Sequence, residues 1–404
     1  MSGADENLTR AHELLADVPL IGKSLRFRFY VRWPKTNSPV DGHNDFPFMI
    51  RGWYLGRVGD PEVDAHEMPI AHTDLLRLRK GSVGGVFWSA YVPCPSANAN
   101  NDFSDEVHYE SLRATMQQID IIYSLVERYP HALGLARTSG EVWDVFRSGR
   151  VASLIGVEGL HQIANSASVL RNFHRLGVRY ITLTHDSNNI YADATNSSGP
   201  IHNGLSEKGI AMVNEMNRIG MIIDLSHTSV AVQKQVLEIS KAPVIFSHSS
   251  CSAVTKHPRN SPEEVLDMLK TNGGVFMISF LPKLTDADRP TLERVADHIQ
   301  HVGERIGYKH VGIGSDFDGI MQTASGLEDV SKFPMLIAEL LRRGVPEESI
   351  RDLVGLNALR VLDEVEAVSE RMKNGGEEML HDEFEPIWDP EIRNKVRQVR
   401  GVSD

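Results

Sequence analysis

The chain has 404 residues, 41% hydrophobic and 24% charged, with a formal net charge of -12 at neutral pH. This composition describes a soluble globular chain with no membrane span, and the acidic balance argues against nucleic acid or an anionic membrane surface as main partner. The length allows several average domains, but a β/α barrel reaches it as one unit, so one domain over residues 1–372 with a C-terminal tail over 373–404 is expected.

Taken in order, the N-terminal MSGADENLTRAHELLADVPL is acidic and lacks the basic start and apolar core of a secretory signal. The C-terminal KVRQVRGVSD carries no apolar tail for a lipid anchor. Cys94 and Cys251 are the only cysteines, too few for a disulfide scaffold, so a cytoplasmic protein is expected. Gly22 to Val40 stands out, with Lys23, Arg26, Arg28, Arg32 and Lys35 and no acidic residue. Its Gly-Lys-Ser fails as a phosphate loop, because Asp17 stands where the first glycine of that loop belongs. A surface loop or edge hairpin is the simpler reading.

DGHNDFPF follows, with His43 and Asp45 one residue apart. On an extended strand end both side chains face the same way, as two metal ligands must. Alone, such a pair fits a solvated turn as well. Apolar runs that read as buried strands then recur at Ser82–Pro93, Val151–Gly159, Val178–His185, Met221–His227, Ala242–Ser250, Gly273–Phe280 and His310–Gly319. With the strand leading into His43 they make eight. Helical patterns separate them, such as Asp105–Pro130 with its apolar i, i+3, i+4, i+7 spacing and terminal proline. Alternation of this kind predicts an α/β fold, a (β/α)8 TIM-like barrel.

Within the stretch from Met221 to Ser250, MIIDLSH and APVIFSHSS each run into a histidine, His227 and His248, across one predicted crossover helix. Either histidine alone reads more readily as a core residue satisfied by backbone. The distribution of polar strand ends changes the balance: His43 and Asp45, Glu158, His185, His227, His248 and Asp316 would all converge on the C-terminal mouth of one barrel. So many buried carboxylates and imidazoles need a compensating cation. The inventory exceeds what a three-ligand zinc site uses, which suggests two divalent ions. Glu158, between Gly156 and Gly159, is the bridging candidate. Zinc is expected, and Mn(II), Co(II) or Fe(II) would also fit nitrogen and oxygen ligands.

GHND, LLRLRKGSVGGVFWSAYVPC, VASLIGVEG, YITLTH, GLSEKG, IDLSH, APVIFSHSS, GSDFDG and GLEDVSKFP together resemble the renal or membrane dipeptidase family of dinuclear zinc peptidases. The resemblance runs from Val18 to about Glu366 and is nearest to fungal members of the gliotoxin-pathway type, which trim glycine from a glutathione-derived thiol adduct. It implies that His43 and Asp45 hold one ion, His227 and His248 the other, and that Glu158 bridges them. It further implies that His185 steadies the oxyanion, Asp316 handles the proton of the bridging hydroxide, and Arg259 pairs with the substrate's terminal carboxylate. Read without the resemblance, Arg259 in HPRNSPEE would be a surface ion pair with Glu263 or Glu264.

Three departures from the family pattern stand out. Relatives join the strand directly to GHND, so Gly22 to Val40 reads as an insertion into the first barrel strand, and whether His43 and Asp45 keep their places is open if the segment belongs to the protein. A retained intron or gene-model error is the hypothesis, and a transcript encoding the segment in frame would count against it. Secreted relatives pair the cysteine at the position of Cys94 with one just after THS, where this chain has Ser187. Leu281 replaces a tyrosine common after the Phe of the seventh strand.

Other candidates are weaker. His66 and His72 lack the spacing of a helical zinc motif, His257 reads as a loop histidine near the pocket entrance, and Phe87 and Trp88 as core. The expected function is a metal-dependent dipeptidase acting on a small dipeptide or dipeptide conjugate such as a Cys-Gly S-conjugate, with room for a homodimer. The alternatives are a related amidohydrolase for a lactone, cyclic amide or phosphoester, and a barrel that has lost its chemistry.

Overall fold

The computed structural model describes residues 3–16, 39–384 and 386–402. Of the basic segment, only Pro39 and Val40 fall among them, so the proposed insertion otherwise lies outside the described residues. Nine strands stand among the described residues: β1 (Val40–Asn44), β2 (Gly85–Ser89), β3 (Leu133–Leu135), β4 (Val151–Glu158), β5 (Val178–Thr182), β6 (Ile222–Asp224), β7 (Ile245–Ser249), β8 (Val275–Ile278) and β9 (Val311–Ile313). All pairings between them are parallel, and the pairing of β2 with β4 closes eight of them into a barrel. The fold is therefore a (β/α)8 barrel of the TIM type.

The extra strand, β3, pairs with Val151–Ser153 at the start of β4, and β5 takes over the same partner from Ile155 onward. Leu-Gly-Leu is too short to show a strand period, so the sequence gives no signal for it. β1 starts at Val40, pairs with Gly85 and Val86 of β2 and with Ile313 of β9, and carries His43 and Asp45 to the barrel top. These two residues are thus not displaced.

Period-two alternation sorts the strand residues into two layers. Val86, Trp88, Ile155, Val157, Ile223 and Phe246 join the core under the helices, whereas Phe87, Ala152, Leu154, Tyr180, Ile222, Ile245 and Met277 belong to a second cluster. Alternation along β4 puts Glu158 on the same side as Leu154, so its carboxylate ends the run at the mouth. Crossover helices are capped as their sequences imply: the Ser229 hydroxyl accepts from Val232 N–H to open Val230–Ile239, the helix between β6 and β7.

Two aspartates inside strand runs stitch the top of the barrel. Asp41 of β1 accepts from Ser315 N at 2.8 Å and Ser315 Oγ at 2.6 Å. Asp224 of β6 accepts from Ser247 N at 2.8 Å and from Ser247 Oγ and Thr182 Oγ1, both at 2.6 Å. Each fixes a strand end next to a site residue, Asp316 in one case and His248 in the other.

The chain beyond the long helix Asn357–Asn374 returns to the barrel. Asp382 accepts from Ala167 N at 2.6 Å, Ser168 N at 3.0 Å and Ser166 Oγ at 2.8 Å, at the start of the helix Ala167–Arg175. Pro390–Arg400 forms a further helix with no buried residue. No helix among the described residues is long and apolar enough to cross a membrane.

Candidate metal centre and substrate cavity

Glu158, at the end of β4, is 4% exposed and has imidazoles on both sides of its carboxylate. Its Oε2 lies 3.6 Å from His43 Nε2. Its Oε1 lies 3.2 Å from His227 Nε2, 3.3 Å from His248 Nε2 and 3.9 Å from His185 Nε2. Asp45 Oδ2 is 3.2 Å from His43 Nε2, and its Oδ1 is buried without a hydrogen-bond partner. The structure thus brings His43, Asp45, Glu158, His185, His227 and His248 together from the ends of five strands, His43 and Asp45 both from β1.

Close packing makes this possible. A Cβ at Gly156 would overlap the Tyr180 ring, so glycine there lets Tyr180 reach across the barrel and place its hydroxyl 2.8 Å from His43 Nδ1. At Gly319 a Cβ would run into Asp45 Oδ2 and stand 2.9 Å from Asp316 Oδ1. The glycine ending GSDFDG therefore lets the backbone lie against two carboxylates.

Hydrogen bonding decides which way the imidazoles face. Ser247 Oγ gives its proton to Asp224, so at 2.8 Å it accepts from His248 Nδ1–H, which leaves the His248 Nε2 lone pair aimed inward. His227 turns Nδ1 towards the Asp186 carboxylate at 3.4 Å, which favours a proton there and a lone pair on its Nε2. The two Nε2 atoms are 2.9 Å apart, with Glu158 Oε1 facing both. Lone pairs and a carboxylate converging in a buried space repel one another unless a cation lies among them. The donor set, nitrogen and oxygen without sulfur, fits a divalent metal site.

Asp316, in the left-handed region at φ 65°, is buried beside this cluster. Desolvation pushes its carboxyl up to about 7, with the Asp45 and Glu158 charges adding to the effect and His43 and Arg259 opposing it. Burial pushes His185 down to about 3, so this imidazole is neutral near pH 7.

A cavity of about 590 Å³ opens above the cluster. Asp45, Glu158, His185, His227, Asp316 and Arg259 line it, together with Phe48, Tyr91, Leu281 and Ile320. Arg259 is 8% exposed, its Nε and Nη2 have no hydrogen-bond partner, and burial lowers its pKa. The ion pairs proposed for it on sequence go elsewhere: Glu263 faces His301 and Arg305, and Glu264 faces Lys234. His257 reaches the same cavity, as does Leu281. His66 instead pairs with Asp64, and Phe87 and Trp88 are core residues.

Three side chains around the cluster escaped the sequence reading. Tyr180 lay inside a strand run and Asp186 directly behind His185, neither with a distinguishing pattern. Asp224 did leave a signal, a charged residue in the apolar run MIIDL.

The model of peptidase family M19, membrane dipeptidase, matches residues 33–376. Dipeptidase verJ of Clonostachys rogersoniana is 67% identical over 404 residues, covering 100% of this chain and 99% of that protein. Dipeptidase tcpJ of Claviceps purpurea is 48% identical, covering 98% of this chain and 94% of that protein. A metallo peptidase from Rhodobacter sphaeroides, liganded with a phosphinate mimic of the dipeptide L-Ala-D-Ala, has a TM-score of 0.71 at 26% identity, covering 82% of this chain and 99% of that one. With the barrel and its donor cluster, these matches identify the chain as a member of the membrane dipeptidase family, peptidase family M19, and a hydrolase of the metallo-dipeptidase class.

Proposed function

We propose that the chain releases the C-terminal residue of a dipeptide or dipeptide conjugate, with Cys-Gly S-conjugates of sulfur-containing secondary metabolism as its substrates. The observation that carries this reading is Arg259, a buried guanidinium without a carboxylate partner in the wall of the cavity that also holds Glu158, His185 and Asp316. A buried cation of this kind is costly unless something anionic meets it, and a guanidinium fork matches a carboxylate. Relatives named dipeptidase, two of them from Clonostachys rogersoniana and Claviceps purpurea, support the same class.

In this reading His43, Asp45 and Glu158 would hold one divalent cation, and His227, His248 and Glu158 a second. Zinc suits the set. When bound, the cations supply Lewis-acid polarisation of the scissile carbonyl and a nucleophile at neutral pH. Arg259 holds the terminal carboxylate and so fixes the scissile bond at a set distance from the cluster. Neutral His185 donates a hydrogen bond to the developing oxyanion. Asp316, buried in the wall of the same cavity, takes a proton on the attacking side and returns it to the leaving amine. Phe48, Tyr91, Leu281 and Ile320 supply apolar wall for a thioether substituent, beside the polar Asp186, Asn196, His257 and Lys283.

Arg259→Met tests the assignment. Leaving one member of a buried charge pair unpaired costs about 2–5 kcal/mol, which corresponds to a loss of roughly 30-fold or more in kcat/KM on Cys-Gly. On C-terminally amidated Cys-Gly the same substitution should have little effect. Equal losses on both substrates would place Arg259 in the fold rather than in recognition, and no release of glycine from Cys-Gly or its S-conjugates by metal-loaded protein would refute the substrate.

A further inference from the structure

Each of the three imidazoles that face Glu158 most closely turns its second nitrogen outward, and the three outward nitrogens meet different groups. His43 Nδ1 meets the Tyr180 hydroxyl at 2.8 Å, and His248 Nδ1 meets the Ser247 hydroxyl at 2.8 Å. His227 Nδ1 has no hydrogen-bond partner and faces Asp186 Oδ1 at 3.4 Å. His227 is 6% exposed, so an outward nitrogen left without a partner there would be costly. Asp186 differs from the other two partners by being charged and by lying open to the cavity, with its side chain 53% exposed.

Asp186 is also held in place. Asn196 Nδ2 donates to Asp186 Oδ1 at 2.8 Å, and the loop beyond Asn196 is tied by the buried Asp193, which accepts from Ile201 N at 2.9 Å and Gly204 N at 2.9 Å. From the other side, Thr195 N donates to His227 O at 2.9 Å. The loop that carries Asn196 therefore grips the backbone of His227 and also steadies the carboxylate facing its ring.

We infer that Asp186 is a positioning residue for His227: its carboxylate keeps the imidazole proton on Nδ1, turns the Nε2 lone pair towards Glu158 and His248, and tightens the hold of His227 on a divalent cation. The inference rests on the reading of His227 as a ligand given above. A carboxylate behind a ligating histidine raises its basicity and fixes its tautomer, and losing such a partner typically weakens metal affinity about 10–100-fold.

The test is zinc binding to full-length protein, followed by equilibrium dialysis against zinc buffers, for wild type, Asp186→Asn, Asp186→Glu and Tyr180→Phe. Asp186→Asn should bind one of two cations about 10–100-fold more weakly, Asp186→Glu should recover part of the loss, and Tyr180→Phe should weaken the other cation. Cobalt-loaded Asp186→Asn should show a changed ligand-field spectrum, which a merely structural lesion remote from the ligand would not produce. Wild-type affinity for every cation in Asp186→Asn would overturn the inference, as would an increase in KM for Cys-Gly with unchanged affinity, which would make Asp186 a contact for the substrate's ammonium group. A wild-type ratio of one zinc per chain would overturn the two-cation reading instead, and the Asp186 comparison would then be decided on that single cation.

Discussion

At the scale of single residues, the proposed reading separates carboxylates that hold charge from one that moves a proton. Asp45 and Glu158 lie within 3.2 and 3.6 Å of His43 Nε2, whereas Asp316 is kept close by backbone, its N–H donating to His43 O at 3.1 Å. An amide at position 316 would keep the shape of the side chain and lose its basicity. Asp316→Asn should therefore leave the zinc content and substrate affinity near wild type and lower kcat by about 10²–10⁴-fold, the usual worth of a general base. Metal analysis and steady-state kinetics on the same preparation check this, since loss of zinc would make Asp316 a ligand. Much of this arrangement was legible in the sequence because strand ends in a β/α barrel share one face, so a polar residue closing an apolar run declares its location. Tyr180 was not legible, because its hydroxyl becomes useful only where Gly156 on the next strand leaves room for the ring. No pattern within one strand reports that.

At the scale of elements, the loop after β5 joins the cavity to the rest of the fold. It carries His185, Asp186 and Ser187, and its inner end rests against the loop holding Cys94, whose sulfur is 3.9 Å from His185 Nδ1 and 3.8 Å from His161 Nδ1. Burial pushes the Cys94 thiol up to about 11, while hydrogen bonds from the Ser187 and Asp186 backbone and from the Ser187 hydroxyl oppose the rise. Cys94 and Ser187 are thus neighbours at the positions where the family resemblance implies a disulfide in secreted members. Ser187→Cys should let that bridge close under mild oxidation and raise stability by about 2–4 kcal/mol, since it would staple a long loop. Thiol titration in denaturant and an unfolding curve check the outcome; a count of three free thiols would mean that the backbones are not placed for a bridge. Elements of this kind set the limits of sequence reading too. Long apolar runs announced β4 and β7, whereas β3, three residues long, is defined only by its pairing with Val151–Ser153. Val40, the described end of the segment read as an insertion, and Asp41 pair with Gly85 and Val86 of β2, and the strand delivers His43 to the cluster.

At the scale of the whole molecule, the barrel is one closed sheet whose interior, from Ala152 and Tyr180 to Met277, is continuous with the side chains that carry the donor cluster. Whatever stabilises the mouth therefore stabilises the fold. Without a cation, Asp45, Glu158 and Asp316 would have to be buried together, 2%, 4% and 7% exposed, at the cost of desolvation and mutual repulsion. A cation bound only by the folded state removes that cost and adds about 2.7 kcal/mol of stability when present at 100 times its dissociation constant. At about 2.1 cal/mol/K of unfolding entropy per residue, a chain of this length unfolds with roughly 0.85 kcal/mol/K, so each cation at that excess should raise Tm by about 3 °C. Calorimetry of chelator-treated protein, then of the same protein titrated with zinc, should show a rise of about that size per cation, continuing with the logarithm of zinc concentration after the sites fill. Asp45→Asn, which keeps the shape of one donor while removing its charge, should start from a higher chelated Tm than wild type and gain less from zinc. Equal responses of the two proteins to chelation and to zinc would mean that the buried carboxylate contributes nothing to the coupling between the site and the fold.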